Sequence, residues 1–281
     1  MAFSEITLAF SPCPNDTFVF DALVNGRIDT EGLCFKVAIE DVETLNQKAF
    51  NGVYDVTKLS MHALFHVAND YTGLVSGGAF CDDFGPVLVS KQAYSKEDIK
   101  NLTVALPGMF TTAAQIFKHF FNARKLIPVM FSDIEKTILE GKADMGVIIH
   151  ENVFTYNKNG LREIENLGLL WRHKYSMPVP LGCIAVKRNI PYEIQKKING
   201  LIKKSLVYAF ENSEDSYNFV KQNAPLTADE IIKKHIDTYV NSYSLQMNQK
   251  AFEAVSILYR DGLSRGDFSD INSDLFIKDI L

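Results

Sequence analysis

Apolar and amphipathic segments alternate along the first half of the chain in an order that predicts strands and helices in turn. The β-favouring run Ile6–Phe10 is broken by Ser-Pro-Cys-Pro, and Asn15 and Asp16 then stand where a helix over 17–24 needs its N-cap. The elements predicted next are a strand at 33–40, a helix at 42–50, a strand that follows Gly52 and ends at 57–60, and a helix at 61–68.

The same order recurs in the following half-chain. A strand at 102–106 is broken by Pro107-Gly108, and Thr111-Thr112 stands at the N-cap of a helix over 113–124. Next come a strand at 127–131, a helix at 133–139, a Gly-x-x-Asp turn that also occurs at 52–55, and a strand at 145–149. A repeat of supersecondary order indicates two similar lobes, although any α/β protein alternates in this way.

Alternating strands and helices predict α/β lobes with parallel sheets covered by helices on both faces. Ligands of such sheets bind outside the carboxyl ends of the strands. The polar residues at those ends are Asn15, Asp16, Lys58 and Ser60 in the first half, and Thr111, Thr112, His150 and Glu151 in the second.

Two further strands connect the predicted lobes. The segment 85–90 leads out of the first lobe, and the segment 181–187, after two prolines, leads back. The helices predicted after Pro191 span 193–211, 213–222, 228–243 and 246–265, and we expect them to pack on the first lobe. The sequence therefore predicts lobe one at 1–95 plus 182–281, lobe two at 96–181, and a double hinge that closes on a ligand. A single continuous sheet is the alternative.

Composition narrows the possible partners. The 281 residues are 47% hydrophobic and 22% charged, with a net charge of −5 and no basic patch, which argues against nucleic acid. No apolar run approaches the roughly 20 residues that span a bilayer. The N-terminus lacks the basic and apolar regions of an export signal. Nothing in the sequence indicates an obligate protein partner.

The cysteines favour free thiols in a reducing cytoplasm. Cys13, Cys34, Cys81 and Cys183 are scattered and form no Cys-x-x-Cys pair. A disulfide framework and a structural zinc site are therefore not expected.

His150 is the strongest candidate for chemistry. It follows the apolar strand 145–149 and stands at the edge of the predicted cleft, where an imidazole with a pKa near neutrality could act as a general base. A histidine bonded to a backbone carbonyl is the structural alternative. His62 and His66 have a spacing compatible with a metal but no third ligand, so we expect them to pack. The remaining histidines lie in helical patterns at 119 and 235 and in a polar loop at 173.

The predicted helix starts suit a carboxylate or a phosphate. Thr111 and Thr112 open one helix and Ser60 precedes another, so free N–H groups and the positive end of the helix dipole face the cleft. Plain N-capping explains these threonines equally well. Lys58 adds a positive charge unless it is a solvated surface lysine. The sequence contains no phosphate-binding loop and no dinucleotide fingerprint, so no nucleotide cofactor is predicted.

Four motifs in this order resemble the 1,4-dihydroxy-6-naphthoate synthases of the futalosine route to menaquinone. They are Ser-Pro-Cys-Pro-Asn-Asp-Thr-Phe at 11–18, Asp-Val-Thr-Lys-Leu-Ser at 55–60, Gly-Pro at 85–86 and Gly-Val-Ile-Ile-His-Glu at 146–151. The resemblance extends from residue 11 to about residue 187, and the helical C-terminal third carries no motif.

The resemblance implies a fold similar to the type II periplasmic binding proteins. It also implies a lyase that splits cyclic dehypoxanthine futalosine into dihydroxynaphthoate and a ribose-derived fragment, with no cofactor and no metal. His150 would be the proton acceptor, and the substrate-binding residues would be Lys58, Leu59, Ser60, Thr111 and Thr112. Asn15 and Asp16 are also predicted to bind the substrate, because they follow a loop that two prolines stiffen at a strand end.

Two other functions remain open at this point. One is a non-catalytic binding protein for small anions with the same fold. The other is the sister chorismate dehydratase of the pathway, against which the histidine after Gly-Val-Ile-Ile argues.

Overall fold

The computed structural model describes residues 5–224, 227–271 and 273–278, so the first four of the residues considered for an export signal lie outside the described chain. The described strands form two separate sheets. The first sheet has the order β2-β1-β3-β11-β4, with β5 pairing along the other part of β11. Its strands are β1 (Ile6–Phe10), β2 (Phe35–Ile39), β3 (Val56–Ser60), β4 (Tyr71–Gly73), β5 (Ala79–Cys81) and β11 (Val179–Lys187).

The second sheet has the order β10-β6-β9-β7-β8. Its strands are β6 (Val87–Ser90), β7 (Thr103–Leu106), β8 (Lys125–Pro128), β9 (Met145–Ile148) and β10 (Arg162–Asn166). Alternate residues of this sheet serve two cores. Leu88, Val104 and Val147 join the large core shared with the first sheet, whereas Val89 and Ala105 pack in a smaller cluster on the opposite face.

The expectation of purely parallel sheets is wrong. β1 runs parallel to β2 and β3, and β7 runs parallel to β8 and β9, but β11 is antiparallel to β3 and β6 is antiparallel to β9. Both antiparallel strands arrive from the other sheet. Neither strand is therefore joined to a neighbour in its own sheet by the β-α-β connection that makes adjacent strands parallel.

The described helices alternate with the strands and then follow one another at the C-terminal end. They are α1 (Pro14–Val24), α2 (Val42–Ala49), α3 (Met61–His66), α4 (Thr112–Phe120), α5 (Ile134–Leu139), α6 (Leu167–Tyr175), α7 (Tyr192–Glu211), α8 (Ser213–Asn223), α9 (Asp229–Tyr239), α10 (Ser242–Leu245) and α11 (Gln249–Ser264). As expected, α7 and α8 pack on α1, and α11 packs on β11. α9 contacts both α1 and a 3₁₀ helix at His150–Phe154, so the C-terminal part touches both lobes. No helix of the described chain is long and apolar enough to cross a membrane.

Several predicted element ends are wrong. α1 begins at Pro14 with Cys13 as its N-cap residue, because proline suits the first helical position. Asn15 and Asp16 therefore lie in the first turn and do not cap it. His173, expected in a loop, lies in α6. The helix predicted over 228–243 divides into α9 and α10 because Val240 is extended.

The chain crosses between the sheets twice, after β5 and before β11, as a double hinge requires. The two crossings touch at glycines. A Cβ on Gly168 would lie 2.4 Å from the carbonyl of Phe84, and one on Gly85 would lie 2.7 Å from the Cα of Gly168. β6 pairs within the second sheet although the predicted first lobe extended to residue 95. We propose that the two lobes divide at these crossings.

Candidate functional site

A cavity lined by residues of both sheets lies between them. Every residue that the sequence proposed for the site contributes to its wall. These residues are Asn15, Asp16, Lys58, Leu59, Ser60, Thr111, Thr112 and His150.

A buried ion pair forms the part of the wall that belongs to the first sheet. Lys58, in β3, donates to Oδ1 of Asp16 in the first turn of α1, and the two side chains are 6% and 2% exposed. The N–H and hydroxyl of Ser11 also donate to Oδ2 of Asp16, the hydroxyl at 2.7 Å. Lys58 is thus not a solvated surface lysine, and its charge is balanced inside the protein.

Asn15 extends this network toward the C-terminal helices. Its Nδ2 donates to Oδ1 of Asp16 at 2.7 Å, and its Oδ1 lies 2.9 Å from Nε2 of His235 in α9. His235 lies 220 positions along the chain from Asn15 and is 1% exposed. No local signal predicts this contact, because the histidine lies within an ordinary amphipathic helix.

Ser60 ends β3 and occupies the N-cap position of α3, but its side chain does not cap that helix. Asn46 of α2 instead donates to the Ser60 hydroxyl at 3.1 Å and accepts from the Ser60 N–H at 2.9 Å. These two bonds fix the end of β3, including Leu59 and Lys58, against the helix layer.

The start of α4 supplies the part of the wall opposite Lys58. Thr111 is the N-cap residue, as predicted, and its hydroxyl oxygen accepts from the N–H of Ala114. The Thr112 hydroxyl donates to the Leu181 carbonyl of β11 at 2.7 Å, so it joins the two sheets. The first N–H groups of α4 lack an intrahelical acceptor, and an anion is favoured beside them.

His150 follows β9 and begins the 3₁₀ helix at the cavity edge with φ +57. Left-handed backbone is uncommon for a residue other than glycine and costs roughly 1–2 kcal/mol. Strain of this kind points to a functional constraint. The Nδ1 atom lies 3.2 Å from the sulfur of Cys13, and Nε2 is buried without a partner in the described chain.

Burial lowers the pKa of His150 from its ordinary value of 6.5, and nearby Lys58 acts in the same direction. Glu151 and Asp16 oppose this shift without reversing it. Burial also raises the pKa of the Cys13 thiol well above its usual value. The pair is therefore a neutral imidazole beside a neutral thiol.

The Cys13 contact decides which His150 nitrogen can act as a base. If the thiol donates to Nδ1, Nε2 carries the proton of the neutral ring and cannot accept another. If Nδ1–H donates to the sulfur, Nε2 keeps a lone pair. Only the second tautomer offers a base at Nε2.

His62 and His66 pack, as expected. Their Nε2 atoms lie 3.2 Å apart and share a hydrogen bond. His66 also contacts the rings of Phe110 and Phe268 edge-on. Burial and the neighbouring His66 lower the pKa of His62 to about 3. The described residues contain no group of three or more His, Cys, Asp or Glu side chains arranged to hold a metal ion.

Two residues of the cavity wall, and the residue that contacts Nδ1 of His150, were not predicted from the sequence as parts of the site. Cys13 was treated as a free thiol, although its position between two prolines before a helix was a usable signal. His235 was placed in a helical pattern and given no role in the site. Nothing in the sequence around Gly182 predicted its place in the cavity wall. A Cβ there would lie 2.7 Å from the Leu59 carbonyl, so only glycine lets β11 approach β3 this closely beside Lys58.

The sequence profile of a protein family described as menaquinone biosynthesis matches residues 6–262. A 1,4-dihydroxy-6-naphthoate synthase from Thermus thermophilus is 34% identical over 272 residues, 97% of this chain and 99% of that protein. A protein of the same name from Streptomyces coelicolor is 30% identical over 95% of each chain.

Solved structures confirm the predicted two-lobed α/β fold. A protein from Archaeoglobus fulgidus superposes with a TM-score of 0.87 at 31% identity, over 94% of this chain and 98% of that chain. The ligand-binding component of an ABC-type import system from Staphylococcus aureus gives a TM-score of 0.72 at 8% identity, over 98% and 97%. An alkanesulfonate-binding protein from Xanthomonas axonopodis gives 0.68 at 11%, over 94% and 95%. The last two establish the periplasmic-binding-protein-like type II fold and nothing about activity.

Proposed function

Because the chain belongs to the menaquinone biosynthesis family, we propose that it is a lyase that converts cyclic dehypoxanthine futalosine into 1,4-dihydroxy-6-naphthoate. The relatives of that name cover nearly the whole chain. The single observation that carries a catalytic role for the cavity is the buried Nε2 of His150, which has no partner in the described chain and belongs to a strained residue.

The cavity suits a small molecule with a carboxylate at one end. The carboxylate lies at the start of α4, where Thr111 and Thr112 offer backbone N–H groups. Lys58 has two remaining N–H donors after its bond to Asp16, and these turn toward substrate oxygens. Leu59 and Ser60 form the adjacent wall.

The reaction begins when the lobes close and exclude water. Nε2 of His150 removes the proton of a sugar-derived hydroxyl, and that oxygen forms a carbonyl as the adjacent C–C bond breaks. The electron pair of the broken bond forms an enolate in the ring system, the imidazolium of His150 returns the proton to that enolate, and the ring system becomes an aromatic naphthalene. Proton removal by a positioned base contributes roughly 10²–10⁴-fold, and orientation in the closed cleft adds to it.

His150→Asn tests this proposal, with release of 1,4-dihydroxy-6-naphthoate measured by mass spectrometry. Asparagine tolerates left-handed backbone better than most residues, so we expect the variant to fold with an unchanged or higher melting temperature. We expect its rate to fall by roughly 10²–10⁴-fold.

The matched control is His173→Asn, the same substitution at an exposed histidine of α6. It should retain the wild-type rate. A wild-type rate in His150→Asn would refute the role of His150. A wild-type protein that releases no dihydroxynaphthoate but dehydrates chorismate would identify the sister enzyme instead.

We also propose that the protein works in the cytoplasm. Its cysteines Cys13, Cys34, Cys81 and Cys183 are all free thiols, as is usual in a reducing compartment.

A further inference from the structure

A second imidazole reaches the cavity from the C-terminal helices, and the proposed reaction does not use it. His235 of α9 is 1% exposed and contributes to the cavity wall. Its ring is nearly parallel to that of His150, with an angle of 8° between the planes and 6.4 Å between the centroids. The position of this buried imidazole, beside the proposed base and the substrate cavity, indicates that it contacts the substrate.

The hydrogen bonds of the wall determine which nitrogen of His235 carries the proton. The Asp16 carboxylate accepts hydrogen bonds, so the Asn15 atom 2.7 Å from it is the donor Nδ2. The Asn15 oxygen therefore faces His235 at 2.9 Å, and an amide oxygen only accepts. It follows that Nε2 of His235 carries the ring proton.

The neutral tautomer leaves a lone pair on Nδ1. That atom is buried and has no hydrogen-bond partner in the described chain. Burial lowers the pKa of His235 well below its usual value, so the ring does not gain a second proton near neutral pH. A buried acceptor without a partner destabilises the protein, and a suitable ligand group removes that penalty by donating to it.

We propose that Nδ1 of His235 accepts a hydrogen bond from a hydroxyl of the bound substrate and so selects for that hydroxyl. The assignment rests on the function proposed above and deepens it. A lone pair repels a carboxylate, so His235 contacts the hydroxyl-bearing part of the molecule. The N–H groups at the start of α4 face the anionic part. The two walls thereby fix the orientation of the substrate before His150 acts.

A purely structural role makes a different prediction. The Asn15–His235 bond ties α9 to α1, and a glutamine at 235 preserves this tie because its amide nitrogen lies near the position of Nε2. Asparagine at 235 instead places an amide oxygen near the position of Nδ1 and abandons the tie. The two substitutions thus separate the donor and acceptor functions of one ring.

The experiment measures the dissociation constant of cyclic dehypoxanthine futalosine by calorimetry in the His150→Asn background, where turnover is removed. We expect His235→Gln to weaken binding about tenfold or more, the effect of losing one hydrogen bond at a buried acceptor. We expect His235→Asn to weaken it less. His173→Gln in the same background serves as the control and should leave the dissociation constant unchanged.

Each result decides the assignment. Equal binding by His235→Gln and its parent, or weaker binding by His235→Asn than by His235→Gln, would overturn it in favour of a structural tie. The wild-type product assay is independent of this series. If product forms and the binding series fails, only the role of His235 is wrong, whereas absence of product refutes the proposed function itself.

Discussion

His150 and Cys13 form the contact on which the proposed chemistry depends most closely. The sulfur is the group that can hold the tautomer with a free Nε2, and it does so without adding a negative charge. A carboxylate in its place would raise the pKa of the imidazole, whereas here burial keeps that pKa below 6.5. A base of this kind stays neutral, and therefore usable, as the solution becomes mildly acidic.

Replacing Cys13 tests the tautomer argument. Cys13→Ala removes the partner of Nδ1, and we expect kcat/KM to fall about ten- to hundredfold. Cys13→Ser keeps an acceptor and should retain more activity. Since an acceptor stabilises the protonated ring, the acid limb of the pH–rate profile should lie at lower pH in the alanine variant than in the serine variant.

Product release measured over a pH series checks both variants. An alanine variant with the wild-type rate and an unchanged acid limb would show that the sulfur only fills space. Cys34→Ala, at an exposed cysteine outside the cavity, is the matched control and should behave as the wild type does.

At the scale of elements, the sequence predicted those site residues that stand where strands end. Lys58, Ser60 and His150 follow this pattern because a buried apolar run has a visible end, and the carboxyl ends of neighbouring strands meet at one edge of a sheet. The N-cap position of Thr111 was predictable for a similarly local reason. These positions can be predicted from the residues immediately before and after them.

What could not be predicted depends on contacts between distant parts of the chain. The partner of Asn15 is His235, and no spacing within α9 distinguishes that histidine from a packing residue. Asp16 does not cap α1 because the helix begins at Pro14, and the pairing of its carboxylate with the distant Lys58 could not be predicted from neighbouring residues. The short strands β4 and β5, of three residues each, carry no periodicity that could identify them.

The close contact between the two crossings predicts that a larger residue at Gly168 destabilises the protein. Gly168→Ala places a methyl group against the backbone of Phe84 and Gly85, neither of which can rotate away. We expect a loss of about 1–3 kcal/mol in the free energy of unfolding, together with weaker substrate binding because the two crossings are forced apart.

Urea unfolding and calorimetric binding check this prediction. Gly200→Ala, in the middle of α7 where a Cβ would meet nothing within 4 Å, is the control. It should be neutral or slightly stabilising, since alanine favours helix. Equal stability of the two variants would contradict close contact between the crossings.

At the scale of the whole molecule, the site exists only when three parts of the chain meet. Asp16 and Lys58 belong to the first lobe, His150 to the second, and His235 to the C-terminal helices. Contacts such as that of Thr112 with the Leu181 carbonyl hold the lobes together beside the cavity. The base therefore faces the residues proposed to position the substrate only where the two lobes meet.

The same buried histidines give the whole protein a pH-dependent stability. Burial lowers the pKa of His62 to about 3 and lowers the pKa of His66, His150 and His235 as well. Below the unfolded pKa of 6.5 the unfolded chain takes up protons that the folded chain refuses. The contribution of these histidines to the free energy of unfolding is therefore fully present above pH 6.5. It decreases as the pH falls below that value, by about 1.4 kcal/mol per pH unit for each histidine that stays neutral.

Two carboxylates modify this pH dependence. Glu43, whose pKa burial raises from 4.5, opposes it weakly, and the lowered pKa of Asp267 matters only in more acidic solution. Urea unfolding between about pH 7 and about pH 5 should show this loss, and His235→Gln should reduce its slope. A flat profile over that interval would mean that the histidines are protonated in the fold, which would also remove the lone pairs assigned to His150 and His235.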